Sequence, residues 1–341
     1  MIHVLAPHQA AIFCLAIIKA SRQAIESGGL AIVPLMLSQP GVGKTSIAKQ
    51  IAQKLKYDSL IVITPTMHNA LDLRGLPEVK EGKTKFAASD ILPESGRHLI
   101  LIDELPDCPV HEQSGFYQLL LDRRLGEYIL PEGCDIIAAG NDETHGACAN
   151  PLSTAIKTRV AICHVKSDLE QSVKYAIQNN WHPRVIGFMR ACPQALSGFN
   201  QDDFAAGSTG RGLQQLSQLE KSGVPDNDII AAALFQGLVG EDIGTRYETF
   251  RRLEIPDVAK VFSSPESAEV PTDKAKLFAM SAMIVHQAAT CKKFTPVFRY
   301  AKRLDRVARI GLVTDLVRAC KESANGSDYA QFIVENGELI A

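Results

Sequence analysis

The sequence predicts an α/β protein built on a central parallel five-stranded sheet, followed by a helical remainder. Three observations lead there. Five short, continuously apolar runs, VPLML (33–37), LIVIT (60–64), HLILID (98–103), DIIAAGN (135–141) and RVAICHV (159–165), alternate with helical segments, the pattern of strands buried on both faces under helices. No strand signal of that strength recurs after about residue 166. A glycine-rich turn, SQPGVGKT (38–45), stands between the first apolar run and a helical segment, where a helix N-terminus offers backbone N–H groups to an anion.

Taken in order, the first element is a helix from Pro7 to Glu26, closed by Ser27-Gly28-Gly29, with Ile12, Leu15, Ile18 and Ile25 at helical spacing. The five strands follow, with SIAKQIAQKL (46–55) as the helix behind the glycine-rich turn. Beyond 166 helical patterns dominate, among them 168–180, 183–192, 212–222, 226–239, 273–289 and the stretch from Phe294 to Lys321. Proline and polar clusters over 255–272 read as a linker. The expected organisation is an α/β core with its N-terminal helix over 1–166, a helical domain over 167–254 and a helical C-terminal extension over 255–341.

Composition narrows the function classes. In 341 residues, 36 Lys and Arg stand against 38 Asp and Glu, so no global positive field exists to hold nucleic acid non-specifically, and only a local basic groove would do so. Apolar stretches are too short for a membrane span of about 20 residues, and no secretory signal is read near the first residue; the chain is expected in the cytoplasm. Eight cysteines without a CxxC pair fit reduced thiols. His145 with Cys148, and Cys163 beside His164, lack the paired spacing of a zinc site.

The chemistry is written in two short motifs. In the loop Gln39, Pro40, Gly41, Val42, Gly43, Lys44, Thr45 and Ser46, the glycines let successive N–H groups turn toward phosphate oxygens, Lys44 would bridge the β- and γ-phosphates, and the Thr45 hydroxyl would ligate Mg²⁺. Ser38 stands where the standard pattern has glycine, and is tolerated only if its backbone suits a residue with a Cβ. The second motif is LILIDE (99–104), whose two carboxylates lie at the C-terminal end of a central strand, the edge where open α/β sheets bind ligands. Asp103 would serve the metal, and Glu104 would orient and deprotonate the attacking water. ATP and Mg²⁺ are the expected ligands.

Together with LDLRGLPEV (71–79), LILIDELPDCP (99–109), YQLLLDRRLGEYILPEG (117–133), IIAAGN (136–141) and PLSTAIKTR (151–159), these motifs resemble AAA+ ATPases, in particular the MoxR-like branch of the dynein-related group, within the helix-2-insert clade. The likeness continues more loosely through 181–196 and 208–217. It implies a P-loop NTPase core followed by a helical lid. It makes Asn141 the polar sensor beside the γ-phosphate and Arg159 the arginine finger that one subunit inserts into its neighbour's site. Arg211, in STGRG without the usual preceding proline, matches the second sensor on the lid. Lys157, Arg123 and Arg124 are alternatives for the charge acting in trans. Two insertions, about 68–95 and a β-hairpin over about 121–134, would mark the branch.

What the resemblance implies is Mg²⁺-dependent ATP hydrolysis in a hexameric homo-oligomeric ring. The work would be chaperone-like remodelling of a client or adaptor protein, for instance one with a von Willebrand factor A domain. A DNA-directed motor or loader on the same fold is the alternative. A nucleotide-gated scaffold and a monomeric P-loop kinase are further rivals, since a fold does not fix the task.

Overall fold

The computed structural model describes residues 3–337 apart from residues 69, 88, 142–151, 199–206 and 226, so His145 and Cys148 lie outside the described residues. Two compact units divide the chain, one ending at Asp168 and the other beginning at Leu169. Among the described residues, no helix is long and apolar enough to cross a membrane.

In the first unit a two-residue strand, β1 (Val4–Leu5), precedes α1 (Pro7–Glu26). The ring of Pro7 suits the first helical turn, and the Gln9 side chain accepts from the Ala6 N–H at 2.9 Å. Gly28, with φ of 78°, carries the chain out of the helix. The buried stripe is Ala10, Cys14, Ile18 and Ser21, whereas Ile12 is 62% exposed. Three of these four side chains are small, which lets the helix lie close to the sheet around Ile18.

The remaining elements of this unit are β2 (Val33–Ser38), α2 (Lys44–Lys54), β3 (Ser59–Ile63), α3 (Ala70–Arg74), β4 (Leu76–Lys80), β5 (Lys83–Ala87), β6 (His98–Ile102), α4 (Val110–Asp122), β7 (Arg124–Leu125), β8 (Tyr128–Ile129), β9 (Asp135–Asn141), α5 (Thr154–Lys157) and β10 (Val160–Val165). Six strands pair in the order β1-β10-β2-β9-β6-β3, all parallel. The five expected strands are there, and β1 adds a sixth at the edge. Alternate side chains of one strand enter different cores: Leu99 and Leu101 pack with α1 and α2, Ile100 and Ile102 with α4. That two-sided burial is why the strands read as unbroken apolar runs.

Two hairpins leave the sheet. The β4–β5 pair turns at Glu81 and Gly82, both at positive φ, as a tight two-residue hairpin requires. The β7–β8 pair turns at Gly126 and lies inside the segment where the sequence places a hairpin.

Among the described residues the second unit is helical apart from one pair of two-residue strands. It comprises α6 (Leu169–Gln178), α7 (Pro183–Ala191), β11 (Ser197–Gly198), β12 (Ser208–Thr209), α8 (Gly210–Ser222), α9 (Asp228–Val239), α10 (Glu241–Arg251), α11 (Ala259–Ser263), α12 (Lys274–Cys291), α13 (Thr295–Ala301), α14 (Arg306–Ala319) and α15 (Ser327–Asn336). One core gathers around Phe188, Phe235 and Tyr247 and another around Met280, Tyr300 and Leu316. Helices α7 and α12 link them, with Gly187 so close to Ala279 that a Cβ would sit 3.0 Å from its Cα.

Arginine–carboxylate pairs lock these helices internally. Arg190 of α7 donates to both oxygens of Asp315 on α14, at 2.8 and 2.7 Å, and to Glu170 on α6 at 2.8 Å. Burial by itself would raise the Glu170 carboxyl, but Arg190 and Arg318 outweigh it and hold the group below its ordinary range.

Candidate functional site

The parallel register brings the C-terminal ends of β2, β6 and β9 together, where Ser38, Lys44, Thr45, Asp103 and Asn141 meet. Ser38 ends β2 between Asn141 of β9 and Val165 of β10. Its backbone is ordinary strand, so no glycine is needed at this position. The departure from the usual loop pattern thus costs no strain.

Beyond Ser38 the chain turns through Gly41 and Gly43, at φ of 77° and 99°, conformations that favour glycine. Gly43 caps α2 without any side-chain hydrogen bond to the first turn, which leaves that turn's N–H groups and the positive end of the helix facing the loop. Lys44 opens the helix. Its ammonium donates to the Ser38 hydroxyl and to Asn141 Oδ1, each at 3.0 Å. The Ser38 hydroxyl in turn donates to the Gln39 carbonyl at 2.8 Å. A residue absent from the standard pattern therefore supports both the loop backbone and its lysine.

The acidic motif lies across from this lysine. The Thr45 hydroxyl donates to Asp103 Oδ2 at 3.2 Å, and the other oxygen of Asp103 accepts the Glu104 N–H at 3.1 Å. Glu104 is exposed and has φ of 58° and ψ of 33°, a left-handed conformation that costs an L-residue on the order of 1 kcal/mol and gathers at functional sites. It leads into a short 3-10 turn, Leu105–Asp107. Gly140, just before Asn141, lies against this turn so closely that a Cβ would overlap the ring of Pro106. The amide-bearing strand and the acid-bearing turn are thus held in contact.

The oxygen pair of Thr45 and Asp103 suits a hard divalent cation of the Mg²⁺ type, which takes carboxylate, hydroxyl and water oxygens. Among the described residues no group of three or more His, Cys, Asp or Glu side chains could hold a metal.

The predicted arginines are placed differently. Arg159, just beyond α5, folds back on its own unit: Nη1 donates to the Ala155 carbonyl at 2.6 Å and the guanidinium lies 5.6 Å from the centre of the Tyr117 ring. Its Nε is buried without a hydrogen-bond partner among the described residues. Arg123 is tied to the carbonyls of Pro131 and Cys134, while Lys157 and Arg124 are exposed. Arg211 is exposed in the first turn of α8, beside the Thr209 cap, and belongs to the second unit.

The sequence reading missed the side chains behind Arg159. Gln113, Tyr117 and Ser153 join α4 to α5 there. Ser153 caps α5, whereas Tyr117 sits among α4 residues with no local sign of its partner.

Residues 35–160 match the family described as AAA domain (dynein-related subfamily). The fold is that of an AAA+ P-loop NTPase, with a central parallel sheet and a helical C-terminal part. No curated protein matches the chain. Solved structures of Thermotoga maritima RuvB are similar to it. One variant has 14% identity and a TM-score of 0.38, covering 97% of this chain and 87% of that one. A second variant has 15% identity and a TM-score of 0.33, covering 96% and 88%. The RuvB described as a Holliday junction branch migration motor has 14% identity and a TM-score of 0.32, covering 97% and 87%.

Proposed function

We propose that the chain is a Mg²⁺-dependent ATPase that works as a six-membered ring, each site completed by a neighbouring subunit, and that it remodels or activates a partner protein in the manner of MoxR-like AAA+ proteins. The observation that carries this reading is the meeting of Lys44 with Asn141, and of Thr45 with Asp103, at one end of the sheet.

On this reading the first-turn amides of α2 and the loop from Gln39 to Ser46 grip the phosphates, and Lys44 shifts from Ser38 and Asn141 onto their oxygens. Thr45 and Asp103 would hold the magnesium, which neutralises charge on the phosphate oxygens. Glu104 orients a water and takes its proton as the water oxygen attacks the γ-phosphorus. The bond to the β–γ bridging oxygen breaks, giving ADP and inorganic phosphate. Asn141 positions that water. Arg159 of the adjoining subunit meets charge on the transferring oxygens, an effect worth about 10³–10⁵ in rate. Residues 167–254 would serve as the lid, with Arg211 as its second sensor, and residues 255–341 as a helical extension. The client is a protein, of which one with a von Willebrand factor A domain is the expected kind.

Two measurements test the proposal. Titration calorimetry should show ATP uptake by the pure protein with magnesium, and Lys44→Ala should abolish it. Lys44→Ala and Arg159→Ala proteins should each be nearly inactive, while their mixture recovers turnover through mixed sites. Recovery at no mixing ratio, with Arg159→Ala fast by itself, refutes the shared site.

A further inference from the structure

All three nitrogens of the Arg190 guanidinium meet carboxylates, whereas that of Arg159 is less fully engaged. Arg190 spends its donors on Asp315 and Glu170, and Arg123 closes on two backbone carbonyls. The Arg159 side chain, by contrast, makes one hydrogen bond among the described residues, to Ala155, and keeps a buried Nε without an acceptor there. Buried donors are nearly always partnered where an arginine serves only packing.

What holds Arg159 instead is a ring face, which orients the guanidinium plane without consuming its N–H groups. The ring is itself fixed. Tyr117 donates to the Ser153 hydroxyl at 2.7 Å, and Ser153 caps α5, the four-residue helix that leads to Arg159. The Ser153 N–H donates to Gln113 Oε1 at 3.0 Å, and Gln113, fully buried, donates from Nε2 to the Cys108 carbonyl at 3.1 Å. Cys108 follows the turn that Glu104 opens. A continuous set of contacts therefore runs from the acid-bearing turn to the arginine of the same subunit.

We propose that Tyr117 is the positioning residue for Arg159, holding its guanidinium by the ring face so that its N–H groups stay available to a nucleotide bound by the next subunit, with Ser153 and Gln113 fixing the ring. The inference rests on the reading of Arg159 as a charge acting in trans. It makes a demand that a merely structural tyrosine does not: the defect must travel with the subunit that lends the arginine.

The test uses mixed full-length chains. In the parent mixture, Lys44→Ala subunits lend an intact Arg159 to the nucleotide sites of Arg159→Ala subunits. Tyr117→Leu is then placed in one partner at a time, and recovered ATP turnover is measured. In the Lys44→Ala partner it should cut recovery about tenfold, the range that a lost ring contact and a misplaced charge span. In the Arg159→Ala partner it should leave most of the recovery intact. Tyr117→Phe in the Lys44→Ala partner keeps the ring but loses its bond to Ser153, so its recovery should fall between those of the Leu variant and the parent mixture.

Equal losses in both placements would show a structural role and overturn the proposal, as would full recovery in both, or a Phe variant as poor as Leu. A parent mixture without recovery is a separate result. It refutes the shared site itself and takes this inference with it.

Discussion

Strand β9 begins at Asp135 and ends at Asn141, and its two ends are held in opposite ways. At the start, Asp135 is enclosed: Arg22 of α1 donates to it from Nε at 3.0 Å and from Nη2, and the Tyr57 hydroxyl donates to the same oxygen while accepting from Arg22 at 3.0 Å. At the far end, hydrogen bonds of 3.0–3.2 Å join Lys44 to Ser38 and Asn141 and Thr45 to Asp103, and Glu104 stands exposed. Similar residue types thus do different work at the two ends. The enclosed polar groups saturate one another, whereas the open end is where the proposed function places a ligand.

The sharpest way to break that distinction is Glu104→Gln. Removing a general base lowers turnover by about 10²–10⁴, and phosphate release should fall by that factor. ATP uptake and the unfolding curve should be unchanged, since the side chain is exposed. Undiminished turnover would mean that the open end of the sheet is not where the chemistry happens.

The enclosed end should respond in the opposite sense. The Asp135 side chain is 5% exposed and that of Arg22 is 35% exposed. Arg22→Ala strands a buried carboxylate, and because water still reaches the arginine the loss should fall below that of a fully buried pair, at about 2–3 kcal/mol. Chemical denaturation should show it, with turnover per folded molecule unaltered. Burial, and then the neighbouring Asp135, raise the Tyr57 hydroxyl well above the ordinary tyrosine range. The unfolded chain therefore releases this proton first as pH rises past about 10. Stability from this group is complete below that pH and is lost above it, and Tyr57→Phe should flatten the alkaline decline.

Gly140→Ala tests the joint between the two motifs. A Cβ would overlap Pro106 and push the acid-bearing turn away from β9. Overpacking of this kind costs about 1–3 kcal/mol. Turnover should fall as well, since Asn141 and Glu104 no longer keep their separation. A stable, active Ala variant would show that the joint has slack.

The open end of the sheet was more legible in the sequence than the enclosed end. The loop residues and the acids that follow LILI sit in short contiguous motifs, and strands buried on both faces announce themselves as apolar runs. Arg22 and Asp135 meet across 113 residues, and nothing in the local pattern of either marks the other. The Tyr117–Arg159 contact is hidden for the same reason. Strand β1 has two residues, too few for periodicity to register. Helix α1 misled in detail because hydrophobic size suggested Ile12, while closeness to the sheet selected Ala10 and Cys14. Ser38 reads as a flaw in the motif until its extended backbone and its bond to Lys44 are seen.

The smallest predicted effect isolates the strain at the open end. Glu104 occupies left-handed backbone at φ of 58°, which glycine adopts without penalty, although glycine also adds disorder to the unfolded chain. The two contributions partly offset, so Glu104→Gly should stabilise the protein by about 0.5–1 kcal/mol, or roughly 1–3 °C in Tm. Glu104→Gln retains the strained backbone and removes only the base, so the pair separates the two properties of one residue. Both variants should lose turnover to a similar extent, and only Gly should unfold at a higher temperature. If Gly unfolds no higher than Gln in scanning calorimetry, the left-handed geometry stores no energy. The acid would then owe its placement to the Pro106–Gly140 contact alone.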